Sequence, residues 1–398
     1  MTVENRGPLK DLRVVEMGQL IAGPFCGQLL GDMGAEVIKV EPPGAGDPMR
    51  GWGRGDFPLW WDIIARNKKS VSIDLRKSEG QTLARALIAR ADILIENFRP
   101  GTLEGWNLDP AALLREQPRL IIVRVSGYGQ SGPYSSRAGF GGIGEALGGW
   151  RNIVGDADRA PARVGISIGD TLAATNGCLG ALAALHHRDR SGEGQIVDSS
   201  LYEAVLQVME SLVPEYAVAG YVRERTGSVL PGVAPSNVYR CRDGDYLIAA
   251  NQDTVFRRLC IAMGEPELSL DPRYSTHLQR GIHQRELDER IESWTRRCSV
   301  AEVESAMIAH GVPAGRIYKA ADMLTDPHFK ARQSIIEIDH PKWGRFPMQN
   351  AFPRLSATPT GFRAIAPQRV GEHNREVLEG LLTISPERIE ILQALGVI

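Results

Sequence analysis

The first 130 residues alternate short runs of β-branched residues with segments in which apolar positions recur at helical spacing. The runs predict strands at 12–17, 36–41, 71–74, 92–96 and 120–125. The segments between them predict helices at 22–33, 79–90 and 110–116. Strands and helices that alternate at this spacing favour parallel strands joined by right-handed crossovers. We therefore expect an open α/β sheet with its ligand site at the carboxyl ends of the strands.

The pattern changes after residue 139. A segment with six glycines, at 139–149, precedes a long apolar helix predicted at 171–187, and a second helix is predicted at 201–213. An Asp243-Gly244 turn between two alternating runs predicts a β-hairpin. Helices expected at 253–263, 283–294 and 300–310 complete a smaller α+β unit over 226–325. Near the end of the chain, Ser385 and Pro386 predict the start of a helix.

Composition narrows the function classes. The 398 residues include 46 Lys and Arg against 48 Asp and Glu, a formal net charge of −2. This balance provides no surplus of positive charge for nucleic acid or an anionic membrane surface. The longest apolar runs are far shorter than the roughly 20 residues of a membrane span. The first ten residues show neither a secretory nor a transit pattern, so we expect a cytoplasmic protein with no nucleic-acid or membrane partner.

The five cysteines are widely spaced, with no C-x-x-C and no histidine at metal-ligand spacing. This pattern predicts buried free thiols and no metal site. Two familiar motifs are also incomplete. Ser126 follows a predicted strand, but Arg124 stands where G-x-S-x-G needs its first glycine. Gly27, Gly31 and Gly34 do not have the spacing of a dinucleotide fingerprint.

Asp170 is the most informative carboxylate in the chain. It lies between a glycine-containing turn and the start of the long apolar helix, where free backbone N–H groups and the helix dipole surround it. One interpretation is an N-cap, a position that favours Asp. The other is a nucleophilic carboxylate, with the same N–H groups placed to stabilise an oxyanion. The local pattern leaves both open.

A series of short segments, in order along nearly the whole chain, resembles the class III CoA-transferase family, which includes formyl-CoA transferase and carnitine CoA-transferase. The segments are LRVVE (12–16), AGP (22–24), LGDMGAEVIKVE (30–41), RNKKS (66–70), ENFRPG (96–101), GYGQSGP (127–133), GD (169–170), GEGQ (192–195), VPAG (312–315), DPH (326–328) and GEHN (371–374). Each is weakly specific by itself, and their common order is highly specific.

The resemblance implies a large Rossmann-like domain built from both chain ends, a smaller α+β domain, and a homodimer of interlocked subunits. The implied boundaries are 1–225 for the first part of the large CoA-binding domain, 226–325 for the small domain and 326–398 for the return. Asp170 matches the family's catalytic aspartate, which forms an acyl anhydride and then an aspartyl-CoA thioester. The implied substrates are an acyl-CoA and a carboxylic acid, with CoA as part of a substrate and no tightly bound cofactor.

The same resemblance implies the CoA contacts. They are Ile21, Ala22, Ile73, Asp74, Leu75, Arg76, Asn97, Phe98, Arg99 and Arg137. Arg54, Arg137 and Arg163 are candidates for holding a second carboxylate of the acceptor. Lys68 and Lys69, which lie beside these segments, are explained equally well by phosphate binding and by solvated surface charge.

The overall pattern is most similar to the branch that uses succinyl-CoA with C4–C5 dicarboxylic acids such as malate, citramalate, itaconate or mesaconate. A related racemase places a histidine where this chain has Phe140. Because a phenylalanine side chain moves no proton, two-base racemisation loses one of its bases. The alternatives to CoA transfer are an acyl-CoA racemase or isomerase, and a non-catalytic CoA-binding protein in which Asp170 only caps its helix.

Overall fold

The computed structural model describes residues 5–398. The expectation of a cytoplasmic protein rests on residues 1–10, and the first four of these lie outside the described residues. The chain divides into two compact units. The large unit comprises the residues up to Trp150 together with Val164–Gly220 and Gln333–Ile398, and the small unit comprises Arg151–Arg163 and Tyr221–Arg332. Both chain ends thus contribute to the large unit.

A six-stranded parallel sheet forms the centre of the large unit. Its strands are β1 (Arg13–Glu16), β2 (Glu36–Glu41), β3 (Lys68–Ser72), β4 (Ile93–Glu96), β5 (Ile121–Ser126) and β6 (Ile196–Ser200). The spatial order is β3-β2-β1-β4-β5-β6, and every neighbouring pair is parallel. The predicted open α/β sheet is confirmed. The order reverses between β1 and β4, where such sheets form a crevice at the carboxyl ends of their strands.

Helices cover both faces of this sheet. Up to residue 220 the chain forms the helices α1 (Ala22–Asp32), α2 (Trp60–Ile64), α3 (Ser78–Ile88), α4 (Thr102–Gly105), α5 (Pro110–Glu116), α6 (Gly141–Leu147), α7 (Trp150–Ile153), α8 (Ile168–Ser191), α9 (Leu201–Leu206) and α10 (Leu212–Ala219). α1 and α8 pack on one face, where Val14 and Val123 belong to the core. α3 packs on the other face, with Val15 and Ile122. Residues alternate between the faces because strand side chains have a period of two.

α8 is longer than predicted at both ends. It begins at Ile168, three residues before the predicted start, and ends at Ser191. Small residues let it lie close to the sheet: a Cβ on Gly177 would stand 3.1 Å from Val123, and one on Gly180 only 2.4 Å from Val197. Among the helices of residues 5–398, α8 is the one whose length and apolar composition match a membrane span. A core helix passes the same test, so this match is weak evidence for a membrane segment.

The single helix predicted at 201–213 is wrong. The structure divides it into α9 and α10, with Glu210 between them at φ +52°. A left-handed backbone conformation at a non-glycine residue interrupts helical hydrogen bonding. No residue of α10 is buried, although most of its side chains are apolar.

The small unit contains a three-stranded antiparallel sheet of β7 (Ser236–Arg240), β8 (Asp245–Ala249) and β9 (Ala314–Arg316). The hairpin predicted at Asp243-Gly244 is confirmed by the pairing of β7 with β8. The helices are α11 (Asp253–Ala262), α12 (His277–Ile282), α13 (Gln284–Thr295), α14 (Val300–His310), α15 (Ala320–Thr325) and α16 (Pro327–Ala331). Apolar side chains from the sheet and α11, α13 and α14 form a separate core.

The chain then returns to the large unit. β10 (Ile335–His340) and β11 (Gly344–Gln349) form an antiparallel hairpin. α17 (Asn374–Gly380) and α18 (Pro386–Ala394) supply apolar side chains to the same core as α3. The Ser385 side chain accepts from Arg388 N, and Pro386 is the first helical residue, as predicted. The backbone N–H of Asp74 donates to Val397 O at 2.7 Å, which joins the chain terminus to the end of β3.

Candidate functional site

A cleft of about 210 Å³ opens at the carboxyl ends of β1 to β4, on the α3 face of the sheet. Its lining residues are Met17, Gln19, Val40, Glu41, Pro42, Ile73, Asp74, Leu75, Arg76, Phe98 and Trp106. Five of the predicted CoA contacts are among them, drawn from the segments that follow β3 and β4. The position beside the switch point is where the sheet topology places a ligand site.

The cleft has an apolar floor. The rings of Phe98 and Trp106 meet edge to face with their centroids 5.0 Å apart. Ile73 and Leu75 are buried below them and belong to the core of the α3 face. Aromatic and aliphatic surface of this kind binds a flat or apolar ligand group by burying it from water.

Arg76 provides the charge at the rim. Its Nε donates to Asp74 Oδ1 at 2.8 Å and its Nη2 to Asp74 Oδ2 at 3.1 Å. The Arg76 side chain is 77% exposed, whereas Asp74 is nearly buried. Hydrogen bonding from Arg76 holds the pKa of the Asp74 carboxyl below its ordinary value. Asp74 thus fixes the guanidinium beside the cleft, where Arg76 also keeps donors free for an anionic ligand.

Asn97 does not line the cleft. Its Oδ1 accepts from Gln19 N at 2.7 Å and its Nδ2 donates to Gln19 O at 2.9 Å. A Cβ on Gly18 would lie 2.7 Å from the same Oδ1, so the close approach requires glycine there. Asn97 therefore acts on the β1–α1 loop, defined as residues 17–21, and through Gln19 on the wall of the cleft.

Ile21 and Ala22 turn their side chains inward. Ile21 precedes α1 as its N-cap and packs against a small core that includes Met49 and Trp61. Ala22 is 4% exposed and packs in the core of the α1 face. Between them and Gln19, Leu20 adopts φ +61°, a conformation that costs a leucine roughly 1–2 kcal/mol. A ligand contact at Ala22 would therefore use the backbone, whereas the side chain of Ile21 is only half-buried.

Arg99 follows β4, next to Phe98 of the cleft lining, and Arg137 lies in the loop after β5. The exposed Arg99 side chain donates to Ser136 O. The Arg137 guanidinium stacks over the Tyr134 ring, 3.5 Å from its centroid. Both arginines are exposed to solvent, which leaves their charge accessible. Of the other candidates, Arg54 lies in a tight turn that pairs with Phe57.

Asp170 is half-buried in the first turn of α8, and Ser167 occupies the N-cap position. The interpretation of Asp170 as the N-cap is therefore wrong. Its carboxylate lies against the backbone of Gly141, the first residue of α6: a Cβ on Gly141 would be 2.1 Å from Oδ2. A Cβ on Gly169 would be 2.9 Å from Gly141 O. Two glycines thus let the starts of α6 and α8 interlock around this carboxylate, beside Phe140, which is 70% exposed.

The cleft and Asp170 both lie at the edge of the sheet formed by the carboxyl ends of its strands, but on opposite faces of the sheet. Ser199 Oγ, near the end of β6, donates to Ala173 O at 2.9 Å, so the start of α8 lies at the carboxyl edge of the strands. α8 packs on the same face as α1, whereas the floor of the cleft belongs to the α3 face. The β1–α1 loop runs between them, because Gln19 lines the cleft and Ala22 begins α1.

A buried network of three carboxylates and three cations, which was not predicted from the sequence, lies beneath this loop. Its members are Glu16, Glu41, Asp47, Lys39, Arg50 and Lys68. Lys68, for which phosphate binding and solvated surface charge were equal explanations, is fully buried and donates to Glu16 Oε2 at 2.7 Å. Lys69 is one-third exposed and pairs with Glu36 and Glu376. Charged residues inside the apolar runs of β1 and β2 were the available signal, because an isolated buried charge is too costly to occur without a partner.

Burial and ion pairing have opposite effects on the pKa values of the residues in this network. Burial alone would lower the pKa of Lys39, but the carboxylates of Glu16 and Asp47 outweigh it and raise that pKa. Burial would likewise raise the pKa of Asp47, and Lys39 outweighs it and lowers that pKa. The pKa of Lys68 is lowered, since burial and the neighbouring Lys39 prevail over Glu16. Within residues 5–398, no group of three or more His, Cys, Asp and Glu side chains is placed to hold a metal ion.

Comparison with known proteins gives full-length matches. The model of the family described as CoA-transferase family III matches residues 9–374. The succinyl-CoA–D-citramalate CoA-transferase of Chloroflexus aurantiacus is 57% identical over 395 residues, 98% of each chain. The beta subunit of succinyl-CoA–L-malate CoA-transferase from the same species is 40% identical over 399 residues, again 98% of each chain. A crystal structure of a CAIB/BAIF family protein from Brucella suis superposes with a TM-score of 0.82 at 33% identity, covering 95% of this chain and 100% of that one.

Proposed function

The chain belongs to CoA-transferase family III, and on that premise we propose that it transfers CoA from succinyl-CoA to a C4–C5 dicarboxylic acid, with citramalate or malate as the acceptor. The observation that carries this proposal is the 57% identity, over 98% of both chains, to a succinyl-CoA–D-citramalate CoA-transferase. The 40% identity to a malate enzyme, over the same share of both chains, supports a dicarboxylic acceptor.

In the proposed mechanism Asp170 is the nucleophile. One carboxylate oxygen attacks the thioester carbonyl of succinyl-CoA and gives an aspartyl–succinyl anhydride and CoA thiolate. The thiolate attacks the aspartyl carbonyl and releases succinate, leaving an aspartyl-CoA thioester. The acceptor carboxylate attacks this thioester, and the thiolate released then attacks the acceptor carbonyl. The products are the new acyl-CoA and the free Asp170 carboxylate.

The position of Asp170 supports this role. The carboxylate lies in the first turn of α8 and against Gly141 at the start of α6, and the free backbone N–H groups of helix starts are donors that stabilise the oxyanion of a tetrahedral intermediate. The close approach of Gly141 limits the orientations of the side chain. Partial burial restricts water, which would hydrolyse an anhydride.

We propose that the cleft takes the nucleotide part of CoA. Phe98, Ile73 and Leu75 offer an apolar surface for the adenine ring, and the Arg76 guanidinium lies at the rim for a phosphate. Asn97 contributes by fixing Gln19. Arg99, next to Phe98, and Arg137, in the loop after β5, are both exposed and are available for the remaining phosphates or for the second carboxylate of the acceptor.

Asp170→Asn tests the mechanism because it keeps the size of the side chain and removes the nucleophile. We expect no CoA transfer from succinyl-CoA to citramalate or malate, and no aspartyl-CoA adduct that hydroxylamine can trap. Asp189→Asn, an exposed carboxylate on the same helix, is the matched control and should retain wild-type transfer. Full turnover by Asp170→Asn would refute the mechanism. Deuterium uptake at the α-carbon of an acyl-CoA, without exchange of CoA between acids, would instead indicate a racemase.

We also propose a homodimer. The support is α10, whose side chains are largely apolar and include Tyr216 and Val218, exposed at 65% and 88%. A helix of this kind is stabilised when another surface covers it. Light scattering on protein eluted from a size-exclusion column should give the mass of two chains. The double variant Tyr216→Glu/Val218→Asp should shift the measured mass toward that of one chain. Ile308→Asp, an exposed apolar residue on α14, is the control. A wild-type mass of one chain would contradict the proposal.

A further inference from the structure

The β1–α1 loop has its backbone held by side chains from elsewhere in the large unit. Lys39 Nζ, from β2, donates to Gly18 O at 2.7 Å. Asp47 Oδ1, from the segment after β2, accepts from Leu20 N at 3.1 Å. Asn97, after β4, holds both backbone groups of Gln19. Three consecutive residues of the loop are therefore fixed by partners distant in sequence.

Two of these partners are bound to each other. Lys39 Nζ and Asp47 Oδ2 are 2.8 Å apart, and each side chain is 1% exposed. Lys39 also donates to Glu16 Oε1 at 3.0 Å, which ties the pair to β1 itself. Since the pair is dry, its attraction is weakly screened and its geometry is well defined. Motion of the loop at Gly18 or Leu20 would break a bond to this pair.

The β1–α1 loop, which the Lys39–Asp47 pair holds, is strained and lies between the two parts of the candidate site, the cleft and Asp170. Leu20 has φ +61°, a conformation that persists only where the surroundings impose it. Gln19 lines the cleft. Ala22 begins α1, which packs against α8: a Cβ on Gly177 of α8 would be 3.8 Å from Cys26 Sγ of α1. The loop is thus continuous with the wall of the cleft and with the helix layer that carries Asp170.

We infer that Lys39 and Asp47 are positioning residues for CoA transfer: their buried pair holds the β1–α1 loop in the strained form that sets the cleft relative to Asp170. Neither residue touches the reacting atoms in this account. The inference rests on the proposed function, since it assigns the loop a role in the transfer reaction.

The test uses Lys39→Met, Asp47→Ala and the double variant. Each single change leaves an unpaired charge in the network and should lower the melting temperature. The double variant removes one charge of each sign, so the melting temperature should recover toward that of the wild type. The loop has still lost both bonds. We therefore expect kcat of all three variants to fall by about 10²-fold, with KM for succinyl-CoA changed by about twofold or less.

Hydrogen exchange provides a second readout that does not depend on activity. The peptide that covers residues 17–25 should exchange faster in all three variants than in the wild type. Asp32→Ala, which breaks the buried Asp32–Arg66 pair at the far end of α1, is the matched control. It should lower the melting temperature while kcat and exchange of the loop peptide stay at wild-type values.

The results separate this inference from the proposed function. If kcat recovers together with the melting temperature in the double variant, Lys39 and Asp47 are only structural and the inference is overturned. Unchanged exchange of the loop peptide overturns it as well. If wild-type protein does not transfer CoA, the proposed function fails, whereas the exchange data still decide whether the pair holds the loop. Should the single variants not fold, the double variant and the control carry the comparison.

Discussion

Gly141→Ala tests whether the carboxylate of Asp170 must stand where the structure places it. The new methyl group would lie 2.1 Å from Asp170 Oδ2, whereas ordinary contacts begin near 3.4 Å. The oxygen must therefore withdraw by more than 1 Å or the side chain must turn. Misplacement of a reacting group by about 1 Å costs on the order of 10²-fold in rate, which corresponds to about 2.7 kcal/mol.

Backbone strain would not account for such a result. Gly141 is the first residue of α6 and is not among the glycines with a positive φ, so its backbone conformation accommodates alanine. Gly380→Ala at the end of α17 is the matched control, because no atom lies within 4 Å of the position of its Cβ.

The assay compares initial rates of CoA transfer, the amount of adduct trapped by hydroxylamine, and thermal melting for the two variants. We expect Gly141→Ala to lose about 10²-fold in kcat and to trap less adduct, while Gly380→Ala matches the wild type. Wild-type kcat in Gly141→Ala, with melting unchanged, would refute the claim that the orientation of Asp170 limits the reaction.

Three further predictions follow from the charges and thiols. Arg76→Ala should raise KM for succinyl-CoA several-fold with kcat unchanged, and the effect should shrink at high salt, because the guanidinium is exposed. The pKa of the Asp47 carboxyl lies below its ordinary value of 3.8, so the ionised carboxylate stabilises the folded protein fully above pH 3.8 and loses this contribution at lower pH. The difference in melting temperature between the wild type and Asp47→Ala should therefore narrow in acid. Burial raises the pKa of Cys178 to about 12, so DTNB at pH 8 should label this thiol only after unfolding.

Four strands of the parallel sheet were predicted closely because their signal is local, whereas β6 was not predicted. Apolar β-branched runs mark β1, β2, β4 and β5, and the structure places each within about one residue of its predicted start or end. β3 was placed three residues late because Lys68 and Lys69 resemble a solvated turn. The partner that buries Lys68 is Glu16, 52 residues away, and no local pattern carries that pairing.

The start of α8 could not be derived for a related reason. Ser167 and Gly169 are residues that favour turns, so the local pattern delays the helix to residue 171. In the structure Gly169 is helical, and its missing side chain makes room for Gly141 O. Tertiary packing between two glycines thus decides that Asp170 lies inside the first turn. The local pattern singled out Asp170 as a candidate, the family resemblance favoured a catalytic role over a cap, and its surroundings came from the structure.

The geometry also explains why charges are buried below a loop that is itself apolar. Leu20 is held at a cost of roughly 1–2 kcal/mol, and the loop has few side chains able to offset it. The hydrogen bonds that Lys39 donates to the loop and that Asp47 and Asn97 accept from it contribute about 1 kcal/mol or more each, enough to keep the strained form. Side chains exposed to water would hold the loop less firmly, because the high dielectric constant of water weakens their electrostatic interactions with the backbone. In the proposed binding mode, an acyl-CoA that reaches from the cleft to Asp170 crosses the sheet edge beside this loop, and a rigid β1–α1 loop would fix the path of its thioester.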